Sequence, residues 1–109
     1  MNDTTEIPTT TDLLKSARQR ITNPDNWWDG RTLSWADGKF CAVQTMAMSL
    51  QELERVDSHT ASIECFGALL NALPPTWRWR SVAKYNDTHV HSSILRLFDR
   101  AIAAMEVTE

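Results

Sequence analysis

Between Val90 and Met105 the residues Val90, Ile94, Leu97, Phe98, Ala101 and Met105 follow one another at intervals of 4, 3, 1, 3 and 4. An α-helix, with 3.6 residues per turn, gathers such a series onto one face. Leu95 and Ile102 widen the stripe. A face this broad must be covered, so the rest of the chain has to supply apolar surfaces to pack against it.

Three further segments carry the helical period. Thr10 or Thr11 is placed to cap a first helix, with Asp12 in a first turn that favours negative charge. Leu13, Leu14, Ala17 and Ile21 then recur on one side, Lys15, Arg18 and Arg20 are left for solvent, and Asn23-Pro24 ends the run. From Cys41 a second helix would turn Val43, Met46, Ala47, Leu50 and Leu53 inward. A third, capped by Asp57 or Ser58, would use Ile63, Phe66, Leu69, Leu70 and Leu73 and stop at Pro74-Pro75. Ser81 to Tyr85 suits one short helical turn. Asp29-Gly30 and Asp37-Gly38 mark tight turns around Arg31–Ala36, which leaves room for a minimal hairpin packed on helices. The expected fold is mainly α: a compact bundle of four to five short helices with an irregular Trp-rich loop and at most one minor hairpin. Residues 1–10, polar and broken by Pro8, are expected to form a disordered tail, and residues 11–109 a single helical domain.

With 109 residues, 42% of them hydrophobic, the chain can bury a core without a metal or a disulfide. Its apolar runs, such as Ala68-Leu69-Leu70, fall far short of the roughly 20 residues that span a bilayer, so no membrane partner is expected. The start, from Met1 to Thr11, lacks the basic and apolar regions of a secretion signal. Two cysteines, Cys41 and Cys65, are too few for a disulfide scaffold and read as reduced thiols of a cytoplasmic protein. A net charge of −3 argues against binding nucleic acid through its phosphates. No motif implies a cofactor.

The tryptophans stand apart. Trp27, Trp28, Trp35, Trp77 and Trp79 all fall outside the helical stripes, in loops. Large aromatics in loops either plug the open end of a bundle or form a recognition surface. Plugging is the default for at least three of them, with Trp77, next to Pro75, expected to be more buried than Trp79. The alternation Trp77-Arg78-Trp79-Arg80, if extended, puts two rings on one side and two guanidinium groups on the other. Such a strip suits a peptide, a carboxylate or a base. The candidate binding residues are therefore Arg78, Trp79 and Arg80, with Tyr85 and His89 beside them.

Other polar residues fit structural roles. Asn86 is placed to cap the last helix, with Asp87 in its first turn and Tyr85 paired with Val90 as a hydrophobic staple. His89 and His91 point about 200° apart on a helix, so no metal site is assigned to them. His91 aligns with Leu95, Phe98 and Ile102 at the core edge, and Asp87 is spaced to pair with it. Cys41 stands at a helix start, where cysteine peptidases and amidases keep a nucleophile served by a later histidine. The default reading is nonetheless a small core residue beside Ala42 and Met46, and Cys65 reads as core. No catalytic residue is assigned.

Tyr85-Asn86-Asp87, His91 and the run Leu95-Arg96-Leu97-Phe98-Asp99-Arg100-Ala101-Ile102 resemble the C-terminal signature of a small bacterial family known as a domain of unknown function. The Leu13-Leu14 helix and the Asp37-Gly38 turn before Cys41-Ala42-Val43 are similar to it in order and spacing, so the resemblance covers roughly residues 12–105. It implies a bacterial or phage origin and brings no activity with it. The leading expectation is a small non-enzymatic binding or protein-interaction module that takes another protein or peptide, with its oligomeric state left open. Its rivals are a cysteine-dependent hydrolase or amidase using Cys41 with a histidine, and an inhibitor encoded by a phage or mobile element.

Overall fold

The computed structural model describes residues 9–28, 41–52, 58–77 and 81–108. Helix α1 runs from Thr10 to Arg20. Its cap is Thr9, one residue before those favoured by the sequence. The Thr9 hydroxyl accepts from the Asp12 N–H at 3.1 Å, and the Asp12 carboxylate accepts from the Thr9 N–H at 3.0 Å. Only a cap three residues before Asp12 closes this reciprocal pair, which frees Thr10 and Thr11 to be buried. After a single 3-10 turn at Pro24–Asn26 come α2 (Ala42–Glu52), α3 (Ser58–Ala72), α4 (Val82–Thr88) and α5 (His91–Thr108). The fold is mainly α, a bundle of five short helices. No strand occurs among the described residues, and the hairpin expected at 31–36 lies outside them.

Helix α5 packs on α1 and α3, and α1 also packs on α2. Ile94, Leu97, Phe98, Ala101 and Ile102 meet Leu13, Leu14, Ala17 and Ile21 in the core, as their spacing requires. Val90 departs from the stripe. It precedes α5 and is 64% exposed, so the staple to Tyr85 does not form. Asn86 does not cap α5 either, because α4 continues through it to Thr88. Ser81 caps α4, its hydroxyl accepting from the Lys84 N–H. The helix ends where Thr88 donates its hydroxyl to the Lys84 carbonyl at 2.8 Å and the His89 ring reaches the Tyr85 carbonyl at 2.9 Å.

Helices α2 and α3 are each turned from the orientation their largest apolar residues suggest. In α2 the buried residues are Ala42, Thr45, Met46 and Ser49, while Val43 and Leu50 are half-buried and Ala47 is exposed. In α3 they are Ala61, Cys65, Ala68 and Leu69, while Phe66, Leu70 and Leu73 are half-buried and Ile63 is 60% exposed. Each shift is a rotation of about 100°, one residue's turn. Small side chains let the helices approach, and the hydroxyls they bury find partners. Thr45 donates to the Ala17 carbonyl at 2.8 Å, and Ser49 lies 3.1 Å from the Ser16 hydroxyl.

Candidate functional site

The polar centre of the molecule is Asn86, fully buried on α4. Its Oδ1 accepts from the Trp27 indole N–H at 2.8 Å and from the Ala42 backbone N–H at 3.0 Å. Its Nδ2 donates to the Trp28 carbonyl at 3.0 Å. One amide thus holds Trp28 and the first residue of α2, the two sides of the segment 29–40, and satisfies an N–H that the helix leaves unpaired. These three contacts join residues 44 to 59 positions apart, and Nδ2 also reaches the neighbouring Asp87 Oδ1 at 3.4 Å. Trp27 also lies against His91, with ring centroids 5.5 Å apart, and His91 Nε2 meets the Ile21 carbonyl at 2.6 Å. A carbonyl only accepts, so this nitrogen carries the proton. His91 is half-buried, as its alignment suggests, but its partner is Ile21 rather than Asp87, because the break at His89-Val90 separates Asp87 and His91 onto different helices.

A cluster of rings occupies the other side of α4. Tyr85, 5% exposed, stacks on His89 with centroids 3.7 Å apart. Trp77 meets both edge-to-face, at 5.4 Å from Tyr85 and 5.0 Å from His89. Trp77 is half-buried against the core and Trp27 likewise, so both act as plugs. The Trp77 indole nitrogen is buried and has no hydrogen-bond partner among the described residues, its ring neighbours there being the aromatic pair. Of the five candidate binding residues, Tyr85 and His89 come together here. Arg78, Trp79 and Arg80 lie outside the described residues.

Cys41 stands where the sequence places it, immediately before α2. Its carbonyl accepts from Thr45 N–H, its sulfur from Gln44 N–H at 3.5 Å, and Gln44 Oε1 accepts from Cys41 N–H at 3.2 Å. This is a capping box with a thiol in the hydroxyl's place. Cys41 is half-buried as a residue, whereas Cys65 is buried. His89 and His91 are each turned to a backbone carbonyl. Among the described residues no group of three His, Cys, Asp or Glu side chains is arranged to hold a metal ion. None of the described helices is long and apolar enough to cross a membrane.

The rotation of α2 and α3 leaves Val43, Phe66 and Leu70 half-buried at the edge of the core, and they line an open groove. Val43 of α2, Phe66 and Leu70 of α3, and Ser81, Val82 and Ala83 at the start of α4 enclose about 410 Å³. Ile63 projects from the same side of α3. Gly67 lies on this side too, and a methyl group added to it would meet nothing within 4 Å. A mid-helix glycine costs about 1 kcal/mol relative to alanine, and no described residue sterically requires it here.

The sequence matches the family of unknown function DUF6197 over residues 5–104. The chain belongs to that family. No curated protein and no solved structure matches it. The span matched to DUF6197 takes in α1 to α4 and most of α5, and with them the Asn86 clasp, the ring cluster and the groove. Local pattern gave no sign of the Asn86 contacts in this DUF6197 chain, since its neighbours Tyr85 and Asp87 resemble a helix start. The groove had one legible signal: α3 carries more apolar residues than one core-facing stripe needs.

Proposed function

We propose that this chain is a small non-enzymatic interaction module that takes a protein or peptide partner in the groove between α2, α3 and α4. The observation that carries this reading is the open apolar groove of about 410 Å³ with the exposed Ile63 beside it. Apolar side chains left at the surface around a groove give a partner something to cover. By sequence the strip Arg78-Trp79-Arg80 runs directly into Ser81 at the groove, and Tyr85 and His89 follow on α4. Of these, Arg78, Trp79 and Arg80 supply aromatic and cationic groups of the kind that dominate interface energetics, with the buried Tyr85 backing His89. The setting is taken as the cytoplasm of a bacterium or of a phage-infected cell. The test is selection of binders from a displayed peptide library on the native chain. Apolar and aromatic sequences should emerge, and Leu70→Lys, Trp79→Ala and Arg80→Ala should each weaken their binding while the fold persists. Peptides that bind Leu70→Lys as well as the parent would overturn the reading.

The rival, a hydrolase or amidase using Cys41 with a histidine, draws on the place of that half-buried cysteine at the start of α2. The engagement of His89 and His91 by backbone carbonyls weighs against it. It requires Cys41 to alkylate rapidly below neutral pH while Cys65 labels only on unfolding. Slow and equal labelling of both thiols in the native chain removes it.

A further inference from the structure

We infer that the flank of α5 bearing Arg96 and Arg100 docks an acidic segment of a partner protein, whose carboxylates pair with the two guanidinium groups. This surface is separate from the groove, and the inference does not depend on what the groove holds.

Helix α5 sorts its charges by side. At about 100° per residue, Asp99 and Glu106 fall within about 20° of each other, and Arg96 and Arg100 within about 40°. The two pairs lie about 90° apart around the helix. The acidic pair faces α1, where Arg18 and Lys15 answer it at 2.6 Å and 3.0 Å. The basic pair is exposed on the side of α3, and neither arginine forms a salt bridge with a described residue. Their described partners are neutral. Arg100 Nε donates to the Ala72 carbonyl at 3.0 Å, and Arg96 donates to the Ser93 hydroxyl at 3.2 Å. From Ala72 the chain continues as Leu73-Pro74-Pro75-Thr76-Trp77, which carries no acid, until the Trp77 ring meets His89 just before α5.

The surplus is a property of this part of the sequence. From Arg78 to Arg100 the chain carries five cations and two carboxylates, in a protein whose net charge is −3. One of those carboxylates, Asp99, is taken by Arg18. Like charges four residues apart on a helix repel, so an anion supplied from outside stabilises the pair.

The geometry favours carboxylates over a single phosphate. Arg96 folds back toward the start of α5, whereas Arg100 reaches across to α3. The anchors draw the two groups apart, so they present two docking points rather than one clamp. Each anchor leaves other donors of the guanidinium fork free for a carboxylate. It also holds the side chain without neutralising it, which lowers the ordering cost of binding. A short acidic segment engages only this flank, whereas a long nucleic acid would also meet the negative remainder of the molecule.

Fluorescence anisotropy on the full chain at low salt tests the inference, with a labelled peptide alternating Glu and Gly and a Gln-Gly peptide as control. The Glu peptide should bind and the Gln peptide should not, and the affinity should fall as salt is added. Arg96→Glu should weaken binding by at least about 5-fold, and combining it with Arg100→Glu by at least about 20-fold. Arg100→Lys keeps the charge and should retain binding even if the Ala72 contact is lost. Lys15→Glu makes the same change in net charge on the α1 flank and should alter binding by no more than about 2-fold. Circular dichroism checks that each variant is folded, and Arg96→Glu alone decides if the double variant is not. A Glu peptide that fails to bind overturns the inference, as does an Arg96→Glu chain that binds like the parent or a Lys15→Glu chain that loses as much. Displacement of the peptide by inorganic phosphate beyond what chloride achieves at equal ionic strength would assign the flank to phosphate instead.

Discussion

Asn86 spends its amide on three groups far away in the chain: the Trp27 indole, the Ala42 N–H and the Trp28 carbonyl. An ordinary helix cap would cost about 1 kcal/mol on truncation. Here Asn86→Ala leaves two donors and an acceptor stranded in the interior, at about 1–3 kcal/mol each before relaxation. The expected loss is about 3 kcal/mol or more, read as a fall in melting temperature on the order of 10 °C or more, with faster hydrogen exchange at Ala42 N–H. Asn86→Asp should be no better, because a carboxylate oxygen would replace the donor facing the Trp28 carbonyl. Cys41 gives a finer test. If its sulfur works as a cap, Cys41→Ser should hold or slightly raise stability, since serine is the preferred residue there, while Cys41→Ala should lose about 0.5–1 kcal/mol in chemical denaturation. Equal losses in both variants would mean that the sulfur is valued for packing rather than capping.

At the scale of elements, the rotation of α2 and α3 reverses expectations for particular side chains. Leu69 and Ile63 both fall on the apolar pattern of α3, yet Leu69 is fully buried and Ile63 projects outward. Leu69→Ala should therefore destabilise the chain by about 2–5 kcal/mol, as core truncations of leucine do. Ile63→Ala should change its stability by less than about 0.5 kcal/mol. Denaturant titration at low protein concentration measures both, and comparable losses would place Ile63 in the core after all. Helix α1 was readable because its four apolar residues form one stripe, with polar side chains around it and a capping box at its start. Helix α3 was not, because small and large apolar residues surround most of its circumference. A periodicity argument then weights the large ones, whereas close packing in the bundle selected Ala61, Cys65 and Ala68.

Across the whole molecule, the first and last helices are tied at the surface as well as in the core. Arg18 reaches Asp99 through two nitrogens, at 2.6 Å and 3.3 Å, and Lys15 meets Glu106 at 3.0 Å. Both pairs are well exposed to solvent, so screening limits what they contribute. A double-mutant cycle on Arg18 and Asp99 should give a coupling of at most about 1 kcal/mol that shrinks as salt is added. A larger, salt-insensitive value would mean that the pair is shielded from water. The main source of cohesion is the core that α1 and α5 share, where Phe98, Leu97, Leu13 and Leu14 are fully buried.

The amino-acid sequence by itself determined that the chain is helical, which side of α5 faces the core from Ile94 onward, and that Cys41 opens α2, because these follow from spacing and turn chemistry within a few residues. The tertiary structure alone decided which sides of α2 and α3 face inward, since that choice depends on how closely neighbouring helices can pack. It also decided the part played by Asn86, whose three tightest partners lie 44 to 59 residues away. Short-range pattern cannot reach across such a distance. The groove follows from the same cause: it is formed by apolar residues that periodicity assigned to the core and close packing of small side chains left at its edge.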